Sequence, residues 1–233
     1  MEVRHTSAEE PLYTFNFEPV LAGFDKLLLG AWVTVQLSCA AMVIGLILSI
    51  LCAAGKTSRV APLRWVIDAY IEIIRNTPFL VQIFFIFFGL PSLGIRLSPN
   101  SAALVALVVN FGAYGTEIIR AGIESIQRGQ VEAGTALGLS KLQIFRYIIM
   151  KPALRTVYPA LTSQFIYLML TSSVVSAISA DDLAAAGNDL QSATFASFEV
   201  YIIITAMYLI MSIGFSAVFS MIEKAAFRYP LSR

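Results

Sequence analysis

The stretch Leu27–Gly55, LLLGAWVTVQLSCAAMVIGLILSILCAAG, runs for 29 residues without a charge. A helix crosses the apolar core of a bilayer in about 20 residues, so this one can span with tilt to spare. Outward from it the pattern recurs. Asn76–Ile95 is an uncharged run of 20 residues, approached by an amphipathic segment, Leu63–Arg75, that carries Asp68 and Glu72. Leu97–Ile119 is a third apolar run, interrupted by Asn110 and Glu117, and Thr156–Ala180 and Val200–Ile222 carry no charge. The expected fold is all-α: a polytopic membrane protein of five transmembrane helices in one domain, residues 1–233. Composition points the same way, with 58% hydrophobic and 13% charged residues. A soluble domain carries about one quarter charged residues, and a chain of this size cannot bury so much apolar surface in its own core.

Cations fix the expected orientation. With the chain start outside, the inner side receives Lys56, Arg59, Arg64, Arg120, Arg128, Lys141, Arg146, Lys151, Arg155, Lys224, Arg228 and Arg233. The outer side receives Arg4, Lys26 and Arg96, with Arg75 inside the second apolar region. Twelve against three is a strong positive-inside bias. Residues 1–24 then form an outer (periplasmic) N-terminal segment, residues 124–153 lie in the cytoplasm, and the C-terminus is cytoplasmic. Carboxylates contribute little to topology, but Glu2, Glu9, Glu10, Glu18, Asp25, Asp181, Asp182, Asp189 and Glu199 all fall outside. The first apolar helix serves as its own insertion signal, since the acidic start does not resemble a cleavable leader.

Several function classes drop out. A net charge of +1 argues against nucleic acid as a partner. Cys39 and Cys52 would stand about 20 Å apart on one helix, too far for a disulfide. The one histidine, His5, offers no credible metal or acid–base site, and neither cysteine has a base beside it. No Gly-Lys-Ser/Thr phosphate loop is present, so ATP hydrolysis is not expected in this chain. No catalytic residue, metal or cofactor is expected here, and the energy for any transport must come from a partner or a gradient.

The inner connection from Arg120 to Arg155 is too patterned for slack loop. Gly129-Gln130-Val131-Glu132 starts a short helix with an acid near the positive end of its dipole. Val131, Thr135, Leu137 and Leu139 give it an apolar side, and Gly138 offers a turn. Ser140 is an N-cap for a second helix, Lys141–Met150, with Gln143 placed to complete a capping box. Leu142, Phe145 and Ile149 share a side of that helix, and Pro152 ends or redirects it. Two short helices meeting at Gly138 serve either as an interfacial tether between spans or as a docking knob. Paired glycines and an acid amid bases favour the knob.

Glu132-Ala133-Gly134, then Gly138 after three residues, resembles the coupling-loop signature of bacterial ATP-binding-cassette importer permeases. Ser140-Lys141-Leu142-Gln143-Ile144-Phe145-Arg146 and Ala153-Leu154-Arg155 resemble its polar amino acid branch. Further resemblances stand in order along the chain. They are Arg75-Asn76-Thr77-Pro78-Phe79-Leu80-Val81-Gln82, Asn110 to Ile123 through Tyr114 and Glu117, and Ser172-Ser173-Val174-Val175-Ser176 before Asp182-Leu183. The resemblance implies a cytoplasmic coupling helix pair that inserts into a separate ATPase, with Glu132 and Gly138 docking and Gly129, Ala133, Gly134 and Arg146 beside them. It also implies two ATPase subunits carrying ATP and magnesium, and a substrate-binding protein outside. The sequence departs at Gly134, where the family usually has alanine, and at Pro152, one residue late.

For a path, the expected residues are Thr77, Gln82, Asn110, Tyr114, Glu117, Ser172, Ser173 and Ser176. Asn110, Tyr114 and Glu117 fall on one helix face. Glu117 either pairs with Arg120 at i,i+3 or meets a cationic group of the cargo. Asn110 either joins helices or offers its amide to a zwitterion. Arg75 and Glu72 are spaced as a local pair. Pro78 frees a carbonyl near Ile74, and the Thr77 hydroxyl can satisfy backbone at the break. The serines either permit close helix packing or line the path, and the family's basic–acidic pair before them is replaced by Leu170-Thr171. Cargo would then be weakly charged, or be held by a non-identical partner. Five helices are few to enclose a path, so a dimer with an identical or similar subunit is expected. The acids Asp181, Asp182 and Asp189 either meet the outer binding protein or are solvated. The competing class is a self-contained gradient-driven amino acid transporter or channel, which would normally be longer and repeated.

Overall fold

The computed structural model describes residues 14–227; the expectations for Arg4, His5, Glu2, Glu9, Glu10, Arg228 and Arg233 lie outside them. Every regular element in the described residues is helical. A short α1, Glu18–Ala22, leads through Gly23 into α2, Phe24–Lys56, a 33-residue helix that contains the whole uncharged stretch. At about 50 Å it exceeds the bilayer core. The amphipathic α3, Ala61–Arg75, follows, and the chain breaks at Asn76–Pro78 before α4, Phe79–Phe84. α4 continues through a π turn, Phe85–Gly89, and a 3-10 turn, Leu90–Leu93. Segments 61–75 and 79–93 are bent by 113° to one another. Four helices are long and apolar enough to cross, and the bent pair makes a fifth when counted as one. The break falls before Phe79 because Pro78 cannot continue the preceding helix.

α5, Pro99–Glu124, is capped by Ser98, whose hydroxyl accepts from the Ser101 N–H. It packs along α2. Small residues permit that contact: a Cβ on Gly112 would lie 2.6 Å from Leu48 Cδ2 and from the Tyr70 hydroxyl. The Ser49 hydroxyl crosses the seam to the Gly112 carbonyl at 3.1 Å, and the Tyr70 hydroxyl donates to the Val109 carbonyl at 2.6 Å. Close backbone approach bridged by hydroxyls is how helices associate where lipid supplies no hydrophobic drive. Leu37, Ala41, Ile83, Leu107, Phe111 and Phe165 fill the main core around this seam.

The connection after α5 holds α6, Arg128–Ala136, then α7, Lys141–Gln143. α7 does not end at Pro152. It runs through a π turn, Ile144–Ile149, into α8, Met150–Thr171, and a 3-10 turn, Ser172–Ile178. The fourth span is therefore one 38-residue helical path, Lys141–Ile178, rather than a segment starting at Thr156. A widened turn just before Pro152 absorbs the ring that a regular turn would drive into the carbonyl four residues back. On the far side lies α9, Leu183–Thr194, and α10, Ser197–Ala226, completes the chain. Val20, Leu27, Leu183, Leu190, Val200 and Ile204 form a second core that ties α1, α9 and α10 to the start of α2. Most of α10 is uncovered, with Glu199, Val200 and Ile204 its buried residues.

Candidate functional site

Two places gather the residues singled out above. The first is the break between α3 and α4. Gln82 donates through Nε2 to the Ile74 carbonyl (2.7 Å), the Thr77 carbonyl (2.9 Å) and the Thr77 hydroxyl (3.0 Å). The Thr77 hydroxyl in turn donates to the Ile73 carbonyl at 2.7 Å. Asn110, buried on α5, donates to Gln82 Oε1 at 3.1 Å. The break thus carries its own set of amide partners for the carbonyls that Pro78 leaves free, as backbone at membrane depth requires. α4 also packs on the 3-10 turn of Ser172–Ile178. There the hydroxyls of Ser172, Ser173 and Ser176 each donate to the carbonyl three residues back, at 2.7 to 2.8 Å.

One turn further along α5, Tyr114 stands under the Arg75 guanidinium, 5.6 Å from ring to Cζ. Glu72, Arg75, Asn76 and Tyr114 line a cavity of about 280 Å³. Arg75 and Glu72 do not pair as their spacing suggested. Glu72 accepts from the Asn76 amide at 2.8 Å, while Arg75 turns toward Glu117 at 3.9 Å. Of the two readings of Glu117, the contact with Arg120 is present (2.8 Å), with a further one to Lys56 (3.0 Å). Lys56 also meets Asp68 at 2.9 Å and Arg120 meets Glu124 at 2.6 Å, so three acids and three bases join α3 to the C-terminal ends of α2 and α5. In the sequence Lys56 counts only among the cations that set orientation; a lone base ending a long apolar helix, with Glu117 as the one acid inside the apolar runs, is the signal that pairs them.

The second place is the helix pair. Ser140 caps α7 in a full capping box with Gln143, and Gly138 turns the chain at φ +75°. A left-handed residue there suits glycine. The faces are not those expected. Ile144 is buried and Ile148 lies against Gly134, whereas Leu142, Phe145, Leu137 and Thr135 are exposed. The side packed on α6 is thus the one carrying Ile144 and Ile148, four residues apart, a choice between two apolar sides that the sequence period alone does not make. Gly129, Glu132, Ala133, Gly138 and Arg146 are exposed, and Gly134 is buried inside the pair. Leu137 and Leu142, 80% and 74% exposed, flank Gly138 and make the tip apolar as well as charged.

On the α9 side, Asp182 is not a surface acid. It is fully buried, caps α9 by accepting from the Ala185 N–H at 2.9 Å, and accepts from the Tyr208 hydroxyl at 3.2 Å. Burial pushes its carboxyl up to about 6, against the backbone and Tyr208 hydrogen bonds that pull it down. Asp181 is exposed and joins Asn100 at 3.0 Å. Among the described residues no group of three or more His, Cys, Asp or Glu side chains could hold a metal ion, and Cys39 and Cys52 are free thiols.

Comparison with known proteins bears on this arrangement. The sequence model of the family described as "Binding-protein-dependent transport system inner membrane component" matches residues 45–228. The chain is 34% identical over 215 residues to the L-cystine transport system permease protein TcyB of Bacillus subtilis (strain 168), covering 92% of this chain and 89% of that one. It is 32% identical over 212 residues to the glutamine transport system permease protein GlnP of Escherichia coli (strain K12), covering 90% and 97%. A solved structure described as "Crystal structure of an amino acid ABC transporter with histidines" superposes with a TM-score of 0.85 at 36% identity, covering 91% of this chain and all of that one.

Proposed function

This chain belongs to the family of binding-protein-dependent transport system inner membrane components, and from that premise we propose that it is the membrane subunit of an ATP-driven importer of polar amino acids or close derivatives. It is a multi-pass protein of the inner membrane and a transport component, not an enzyme. ATP and magnesium act in two separate cytoplasmic ATPase subunits. A second permease, identical or similar, completes the path, and a substrate-binding protein delivers cargo from outside. The chain start lies outside and the C-terminus in the cytoplasm, which the positive-inside bias supports. Residues 1–24 are then the outer segment and 124–153 the coupling loop.

The observation that carries this reading is the exposed tip at Gly138. It follows directly on the inner end of α5, and it offers an acid, a base and bare leucines to a soluble partner. Glu132, Ala133, Gly129, Gly138 and Arg146 meet the ATPase, while Gly134 sets the spacing of the pair from within. Thr77, Gln82, Asn110, Tyr114, Glu117, Ser172, Ser173 and Ser176 belong to the substrate path or to the frame that shapes it. The test is Glu132→Ala in the complex reconstituted with its ATPase, alongside Gly138→Val. We expect uptake to fall at least about tenfold, the loss of one charge-assisted contact at an interface, with membrane insertion unchanged. Unchanged uptake together with unchanged ATPase recovery would overturn the docking assignment.

A further inference from the structure

The cavity at the α3–α4 break holds a base whose hydrogen-bonding capacity is not used. Arg75 ends α3 and rests on the Tyr114 ring, yet it donates no hydrogen bond among the described residues. Its one ionic contact, to Glu117 Oε2, is long at 3.9 Å. Glu117 has little need of it, since Lys56 donates at 3.0 Å and Arg120 donates three times at 2.8 to 3.3 Å. A planar fork of donors therefore faces the cavity uncommitted, the geometry that suits a carboxylate. Glu72 lies on the same cavity with one oxygen bonded to Asn76 and the other without a described partner. Holding such groups among membrane helices is costly, and they are kept where they meet a ligand or an ion path.

Charge decides the ligand class. Arg75 and Glu72 put opposite charges on the cavity, and the neighbouring cluster adds two bases, Lys56 and Arg120, and three acids, Asp68, Glu117 and Glu124, so three bases stand against four acids and the surroundings disfavour a dianion. A lone arginine would accept any anion, but a carboxylate on the same cavity repels phosphate or sulfate and attracts an ammonium. A volume of about 280 Å³ suits a small polar molecule rather than a larger ligand. We propose that this cavity holds the zwitterionic head of an α-amino acid. Arg75 pairs with its α-carboxylate and Glu72 with its α-ammonium, the Asn76 amide fixes Glu72, and the Tyr114 ring braces Arg75. The proposal rests on the importer reading above and assigns the head group alone.

The experiment uses the permease complex with its ATPase, in detergent and without binding protein. Binding of tritiated L-glutamine and of labelled L-cystine is measured against two competitors of each: the α-methyl ester, which lacks the carboxylate, and the N-acetyl derivative, which lacks the ammonium, with cystine, which has two such heads, esterified or acetylated at both. On the unaltered complex both derivatives should compete at least about tenfold more weakly than the parent amino acid, since each loses a charge-assisted pair. Arg75→Gln should weaken binding by a similar factor, and Arg75→Lys by less, because charge remains and the fork is lost. Glu72→Gln should narrow the gap between the N-acetyl derivative and its parent. Derivatives that compete as well as the parents, or both Arg75 variants binding as the unaltered complex does, would remove the site and leave the importer reading standing. A complex that neither binds nor imports either probe would overturn both.

Discussion

Gln82 is one side chain that holds a broken helix together. Its amide satisfies two carbonyls and a hydroxyl at the break, and its own oxygen is filled by Asn110. Polar groups read as path lining thus also form the frame that gives the break its shape. Asp182 is the other residue whose surroundings set its behaviour. Its folded carboxyl titrates near 6, above its ordinary 3.8, because burial penalises the anion. A raised folded value means stability fully present below about pH 4 and lost as pH rises through about 6. The shift corresponds to roughly 3 kcal/mol at most. Asp182→Asn keeps the capping oxygen and removes the titration. Thermal unfolding of the purified chain in detergent should therefore flatten between pH 4 and 7 in the variant, while the unaltered protein loses stability across that window. An identical slope in both proteins would assign the dependence elsewhere.

The helix pair shows how an element is set by one contact under a glycine. Ile148, on the π turn, sits where a side chain at position 134 would have to go. Gly134→Leu must push α6 off that turn, at a cost of about 1–3 kcal/mol for overpacking. Hydrogen exchange should rise across residues 128–136 with the spans unaffected; unchanged exchange in α6 would show that the pair tolerates the bulk. Elements of this kind were legible in the sequence where local chemistry decides them. Ser140 with Gln143, the Gly138 turn and the Thr77-Pro78 break needed no tertiary information. What stayed illegible were the packed side of the second helix and the point at which it ends. Ile144 and Ile148, not Leu142 and Phe145, face α6, and the widened turn Ile144–Ile149 carries α7 on into α8 past Pro152. The departure at Gly134, which the family pattern made puzzling, is explained by the Ile148 side chain that occupies its place.

At the scale of the whole molecule, lipid and charge divide the work. The apolar runs were readable because a bilayer tolerates few alternatives to a helix, and five crossings follow if the bent pair counts as one. The packing between them was not readable, since it depends on which small residues meet. Nor was the ion cluster, whose members lie up to 68 positions apart in the chain, from Lys56 to Glu124. Glu117 is its centre: half-buried, and shared among Lys56, Arg120 and Arg75 from three helices. Glu124 is its rim, exposed and bound to Arg120 alone. Removing the central charge takes Arg75's one ionic contact and leaves Lys56 and Arg120 with only the exposed Asp68 and Glu124, whereas removing the rim charge leaves Arg120 with Glu117. Glu117→Gln should therefore lower unfolding stability in detergent by about 1–3 kcal/mol, and Glu124→Gln by no more than about 0.5 kcal/mol. High salt should narrow the Glu124 effect more than that of Glu117, because exposed pairs are the better screened. Equal losses from both substitutions would mean that α3 and the C-terminal ends of α2 and α5 are joined by their apolar seams, with the charges only decorating them.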